Sequence, residues 1–144
     1  MELNTNIISI IQARMGSTRL PGKILKSIQG MPMLWHIANR LKGVDEIDKI
    51  VIATSDLPLD DQIYEMAKKY NIACFRGSEK DVLHRFYATA KMMDAHYIIR
   101  ITGDCPLVDS QTIKKLIKLY FDGSYDYCGV ACGAGVSRLK NINR

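Results

Sequence analysis

Residues 7–23 read Ile7-Ile8-Ser9-Ile10-Ile11-Gln12-Ala13-Arg14-Met15-Gly16-Ser17-Thr18-Arg19-Leu20-Pro21-Gly22-Lys23. The run Ile7–Ile11 is almost wholly apolar, the pattern of a strand buried on both faces of a parallel sheet. The chemistry then changes at once. Arg14, Arg19 and Lys23 fall within ten residues, interleaved with Gly16 and a Pro21-Gly22 turn. Gly16 permits close backbone approach, and the neighbouring N–H groups can cradle phosphate oxygens. The arginines offer forked contacts to phosphate, while Lys23 acts as a point charge that the Pro-Gly turn brings back toward the strand. A solvated basic loop would explain the turn but not the strand that feeds it or the density of cations.

Working outward, short apolar runs alternate with helix-period segments. Residues 32–42 carry Leu34, Ile37, Ala38 and Leu41 as one stripe, beginning at Pro32 and ending before Gly43. Lys49–Thr54 reads as a strand, and 58–70 as a helix with Leu59, Ile63, Met66, Ala67 and Tyr70 on one face. Ile72–Phe75 is a short strand. Ser78 and Asp81 then open a helix whose stripe is Val82, Phe86, Ala90 and Met93. Tyr97–Ile101 is a further strand. Asp109 or Ser110 caps a helix bearing Ile113, Leu116, Ile117 and Tyr120, closed by Gly123. Tyr125–Val130 reads as a fifth strand, and 132–144 has no period and is expected to be loosely ordered. This alternation predicts a single α/β domain, three layers deep, around a mostly parallel sheet. Ligands of such sheets bind beyond the C-terminal ends of the strands, which points to the segments after Ile11 and after Ile101.

Composition narrows the class. With 47% hydrophobic and 24% charged residues, the chain has an ordinary globular balance. The first 43 residues hold six basic groups against Glu2 alone, so they account for the whole net charge of +5. That concentration suits a compact polyanion better than a nucleic-acid face. Trp35 and the tyrosines form no stacking ladder for single strands, so no nucleic-acid partner is expected. No apolar run is long enough for a membrane span, and the N-terminus lacks a basic signal segment; the expected setting is cytoplasmic. Cys74, Cys105, Cys128 and Cys132 contain no Cys-x-x-Cys pair and are expected to be reduced thiols.

Two familiar phosphate motifs fail. A P-loop needs four residues between its glycines and a Ser or Thr after its Lys, whereas five residues separate Gly16 from Gly22 and Ile24 follows Lys23. Gly133-x-Gly135 has Arg138 where a dinucleotide fingerprint requires glycine. The second candidate site is Asp104, in the Gly-Asp-Cys-Pro turn after the Tyr97–Ile101 strand. A lone carboxylate there suits Mg²⁺, which combines one or two carboxylates with substrate phosphates and waters. The competing reading is an ordinary Asx turn.

Ala13–Lys23 resembles the N-terminal signature of the CMP-sugar synthetases: CMP-Kdo synthetases, acylneuraminate cytidylyltransferases and related spore-coat polysaccharide proteins. The likeness continues through Gly30–Leu34, Ala53–Asp56, Arg76–Ser78 with Asp81–Leu83, and Thr102–Leu107, reaching about residue 127. It implies a nucleotide-diphospho-sugar transferase fold with CTP over the end of the first strand. Residue by residue it implies that Ala13, Arg14, Met15, Gly16 and Ser17 contact base and phosphates. Arg14, Arg19 and Lys23 would neutralise the triphosphate, and Arg76, Ser78 and Asp81 would shape the base and ribose pocket. Arg14, Lys23 and Asp104 are the candidate catalytic residues, and Asp104 is the Mg²⁺ ligand.

The implied reaction is attack of a sugar hydroxyl on the α-phosphorus of CTP, with pyrophosphate leaving and a CMP-sugar forming for polysaccharide biosynthesis. The acceptor would be an ulosonic or nonulosonic acid. In that family the chain continues past the fifth strand and supplies a second metal carboxylate, much of the sugar pocket and dimer contacts. The residues here therefore read as the N-terminal nucleotide-binding part, catalytically incomplete alone, with a homodimer expected. Gly129–Arg144 contains no Asp or Glu to serve as that second carboxylate. Three rivals stay open: a nucleotidyltransferase of the same fold using another nucleoside triphosphate and a sugar phosphate, an inactive nucleotide-binding fragment, and a basic RNA-binding module.

Overall fold

A computed structural model of the chain describes residues 5–123, 125–131 and 135–139. It divides into two compact units, Met1–Val108 and Asp109–Arg144, where the sequence reading has one domain.

The first unit is built on a four-stranded parallel sheet: β1 (Ile7–Gln12), β4 (Lys49–Ser55), β5 (Ala73–Gly77) and β6 (Tyr97–Thr102). Their order is β5-β4-β1-β6. The run that opens the sequence occupies an inner strand. Ile8, Ser9, Ile10 and Ile11 are fully buried, so both faces of β1 are covered. On one face Ile8, Ile10, Val51 and Ala53 pack with Phe86 and Ala90 of α3 (Val82–Met92) and with Met93 just past its end. Helix α2 (Asp61–Lys69) lies against β4 and β5, burying Ile63, Met66 and Ala67. Helix α1 (Met33–Leu41) buries the predicted stripe of Leu34, Ile37, Ala38 and Leu41. The three-layer α/β arrangement around a parallel sheet is the one expected.

Three local differences have physical causes. Ser27–Ile28 (β2) and Met31–Pro32 (β3) form a small antiparallel hairpin before α1. Its two-residue turn places Gln29 at φ 49° and Gly30 at φ 82°, the primed turn that matches strand twist. The helix read over 58–70 starts later, because Pro58–Asp60 form a 3-10 turn, and Leu59 faces solvent, 55% exposed. The buried stripe of α3 includes Arg85 and Thr89, which a reading of apolar residues alone leaves out.

Helix α3 is capped by Asp81, whose carboxylate accepts the His84 amide at 2.8 Å, while Ser78 Oγ accepts the Asp81 amide at 3.0 Å. Asp81→Ala should therefore cost about 1 kcal/mol of stability in urea denaturation, and Asp81→Ser should retain most of it.

In the second unit, Asp109 caps α4 (Ser110–Gly123), accepting the Thr112 amide at 2.9 Å and the Thr112 hydroxyl at 2.7 Å. The strand read over 125–130 is β7 (Tyr127–Ala131). It does not extend the parallel sheet but pairs antiparallel with β8 (Gly135–Leu139). Residues 135–139 of the stretch expected to be loosely ordered form that strand; Cys132–Ala134 and 140–144 lie outside the described residues. Cys74, Cys105 and Cys128 are free thiols, Cys132 again lying outside. Burial pushes the Cys74 thiol up to about 11, despite the opposing charge of Arg76, so it is inert. No helix among the described residues is long and apolar enough to cross a membrane.

Candidate active site

The strand order reverses at β1: β4 and β5 lie on one side, β6 on the other. Gln12 is level with Ala53 of β4 and Thr102 of β6, so the chain leaves β1 at the switch point where α/β sheets take ligands. The loop after Gln12 is organised around Met15. Its side chain is buried, its carbonyl accepts the Ser17 amide at 2.8 Å and the Gly22 amide at 3.3 Å, and its own amide reaches Asp60 Oδ1 at 2.7 Å. Ala13 is also buried, its amide donating to the Ala53 carbonyl at 3.2 Å.

These two residues therefore shape the loop from below and leave Arg14, Gly16, Thr18 and Arg19 exposed above it. A Cβ added to Gly16 would meet nothing within 4 Å. The space beside Gly16 is therefore open, the side from which a ligand would approach the backbone. Gly22 has φ 67° and closes the loop against the Met15 methyl. The 3-10 turn Lys23–Leu25 follows, anchored by buried Ile24.

Lys23 then points back. Its ammonium lies 3.4 Å from Asp104 Oδ2, joining the loop after β1 to the turn after β6. Asp104 is more than half exposed. A hydrogen bond from the Thr102 side chain is the main cause holding its carboxyl below the usual carboxylate range; burial opposes it, and the nearby Lys23 adds to the lowering. It is ionised at neutral pH. The turn is fixed by Gly103, whose amide donates to the Gln12 carbonyl at 2.7 Å.

Arg14 pairs with Glu79 at 3.1 Å, across to the segment after β5. The other expected pocket residues there are tied to the chain itself. Arg76 donates to the Ser55 and Leu57 carbonyls at 3.1 and 3.0 Å and pairs with Asp61 at 2.7 Å, which fastens the β4–α2 connection. Ser78 and Asp81 are engaged at the start of α3. Thus Lys23 and Asp104 meet at the ends of β1 and β6, Arg14 is paired with Glu79 on the segment after β5, and Arg76, Ser78 and Asp81 act as local supports.

Two residues absent from the sequence reading matter here. Asp60 is 2% exposed and holds both the loop and β4. Arg85 is 1% exposed and donates from Nη1 to the Ser78 carbonyl at 2.5 Å, with its Nε and Nη2 buried and unpartnered. Burial first, then Arg14, lower the pKa of Arg85, while Asp60, Glu79 and Asp56 oppose this. The only sequence signal for either was a charged residue at an unexpected position: Arg85 four residues before Thr89 on a helix, and Asp60 beside a proline turn.

Asp104 fits the role of a Mg²⁺ ligand in one specific sense. It is a single ionised, accessible carboxylate beside the ammonium of Lys23, a donor that suits a site completed by other oxygens and water. Among the described residues no group of three or more His, Cys, Asp or Glu forms a protein cage for a metal.

The α/β fold with its parallel sheet is that of the nucleotidyltransferase-like structures this chain resembles. Residues 8–141 match the family model described as cytidylyltransferase, and the chain belongs to that family. It is similar to the spore coat polysaccharide biosynthesis protein SpsF of Bacillus subtilis, 40% identical over 126 residues that cover 85% of this chain and 52% of the relative. It is also similar to a 3-deoxy-manno-octulosonate cytidylyltransferase of Trichlorobacter lovleyi, 30% identical over 138 residues, covering 95% of this chain and 52% of that one. Among solved structures, a cytidylyltransferase from Leptospira borgpetersenii superimposes with a TM-score of 0.78 at 38% identity, over 83% of this chain and 50% of that chain. The chain spans about half the length of the curated relatives it matches.

Proposed function

We propose that this chain supplies the CTP–Mg²⁺ site, at the β1–β6 switch point, of a protein that transfers the cytidylyl group to a sugar hydroxyl, forming a CMP-sugar and pyrophosphate. The acceptor class is an ulosonic or nonulosonic acid, consistent with the 3-deoxy-manno-octulosonate named for one relative. The observation that carries this reading is the approach of Lys23 to Asp104, a cation and a carboxylate 81 residues apart that meet where the sheet order reverses. The protein is read as cytoplasmic, working without membrane or nucleic acid, and as a homodimer like the family it resembles.

In this mechanism Arg14, Arg19 and Lys23 bind the triphosphate and hold it against the open side of the loop. The sugar hydroxyl oxygen forms a bond to the α-phosphorus and releases its proton to solvent as the bond to the bridging oxygen breaks, and pyrophosphate carries the charge away. Lys23 stabilises that charge as it develops, and alignment of the attack supplies much of the rate. Asp104 would hold the Mg²⁺, which when bound neutralises phosphate charge. With a triphosphate present Lys23 exchanges its exposed carboxylate partner for phosphate, a rearrangement that costs little because such surface pairs contribute only about 0–1 kcal/mol.

The test is thermal-shift binding with the four nucleoside triphosphates and Mg²⁺, since a ligand that binds the folded state raises its apparent stability. CTP should give the largest rise in Tm. An equal rise from all four, or none from CTP, would contradict the cytidylyl reading.

A further inference from the structure

Asp60 stands at the residue preceding α2, where an aspartate ordinarily caps its own helix by accepting the amides of the first turn. It does not: its side chain accepts no capping hydrogen bond from α2. Instead the carboxylate turns inward, 2% exposed, and accepts the Met15 amide at 2.7 Å, the Ser55 amide at 3.3 Å and the Ser55 hydroxyl. A buried carboxylate is costly unless its oxygens are hydrogen-bonded, so this choice of partners is the dominant local interaction.

We infer that Asp60 is the positioning residue of the nucleotide loop, an assignment that rests on the nucleotide reading above. Met15 is the pivot of the loop, since its carbonyl closes the turn through the Ser17 and Gly22 amides. Holding its amide downward fixes the Arg14–Met15 peptide plane. Arg14 and Gly16 are then turned to the open side, and Lys23, just past the closure at Gly22, is aimed at Asp104. On the β4 side of the carboxylate the Ser55 hydroxyl donates to Oδ2, the oxygen that does not hold Met15, and accepts the Leu57 amide at 3.2 Å. A carboxylate is required, because all three of its partners are donors. In Asp60→Asn one oxygen becomes an NH₂ group facing a donor.

Backbone amide hydrogen exchange and Mg²⁺–CTP titration, on the parent chain and two variants, test this. In the parent, the Met15 amide should exchange as slowly as strand amides of β1, although it lies in a loop. In Asp60→Asn its protection should fall at least tenfold relative to Ile10 and Val51, and the CTP dissociation constant should rise by about tenfold, the loss of roughly one charge-assisted hydrogen bond. Ser55→Ala removes a different contact of the same carboxylate. It should destabilise the fold yet leave Met15 protection and CTP affinity within about threefold, well under the value of one hydrogen bond. Fast exchange of Met15 in the parent overturns the assignment even if Asp60→Asn fails to fold. So does a loss of CTP affinity that follows overall stability equally in both variants. Failure of the parent to bind CTP, with Met15 protected, would instead count against the nucleotide reading.

Discussion

Lys23→Ala is expected to raise the dissociation constant for Mg²⁺–CTP by roughly ten- to a hundredfold, because a charge-assisted contact to phosphate contributes about 1.5–3 kcal/mol. Stability should hardly change. The ammonium is about one-third exposed and its partner Asp104 more than half exposed, so the pair adds little to folding. Asp104→Asn should act differently. It keeps the size of the side chain but removes the charge, so it should abolish the metal dependence of binding and leave metal-free affinity near the parent value. Titration calorimetry with and without Mg²⁺ separates the two outcomes. If both variants bind Mg²⁺–CTP like the parent, the phosphate site lies elsewhere.

The second large effect is expected at Gly103. A Cβ there would stand 2.7 Å from the Gln12 carbonyl oxygen and 3.1 Å from Ala13 Cβ, both in the backbone segment from which the nucleotide loop departs. The oxygen it would strike is the one that accepts the Gly103 amide. Relief therefore requires the ends of β1 and β6 to separate, breaking that hydrogen bond. Gly103→Val should cost about 1–3 kcal/mol, the usual range for overpacking, read as a lower urea midpoint. It should also weaken CTP binding more than its stability loss accounts for, since the movement pulls Asp104 away from Lys23. An unchanged midpoint and unchanged affinity would mean that the β1–β6 junction yields freely and does not fix the site.

These two positions illustrate what the sequence makes legible. The apolar run before Gln12 and the basic loop after it identify an inner parallel strand and its ligand loop, because burial on both faces leaves no alternation to confuse the reading. Lys23 and Asp104 were legible as chemistry, and the resemblance gave them a common substrate. Their meeting was not legible, since it depends on β6 lying beside β1 rather than beside β5. Asp60 and Arg85 were missed for a related reason. Charged residues are read as surface, and only the fold reveals that Asp60 turns under a loop 45 residues away. Strand β7 was placed correctly along the chain, but its antiparallel partner β8 lies in a segment without apolar alternation.

The central claim is that the loop 13–23 and the turn 102–105 form one nucleotide phosphate site. Amide chemical-shift mapping of the chain titrated with Mg²⁺–CTP, and then with CDP and CMP, tests it directly. The account predicts shifts concentrated in residues 12–23 and 102–105, with affinity falling from CTP to CDP to CMP as phosphates are lost to Arg14, Arg19 and Lys23. Shifts centred instead on the separate groove between Leu25, Gln62 and Tyr70, or equal affinity for all three nucleotides, would contradict it.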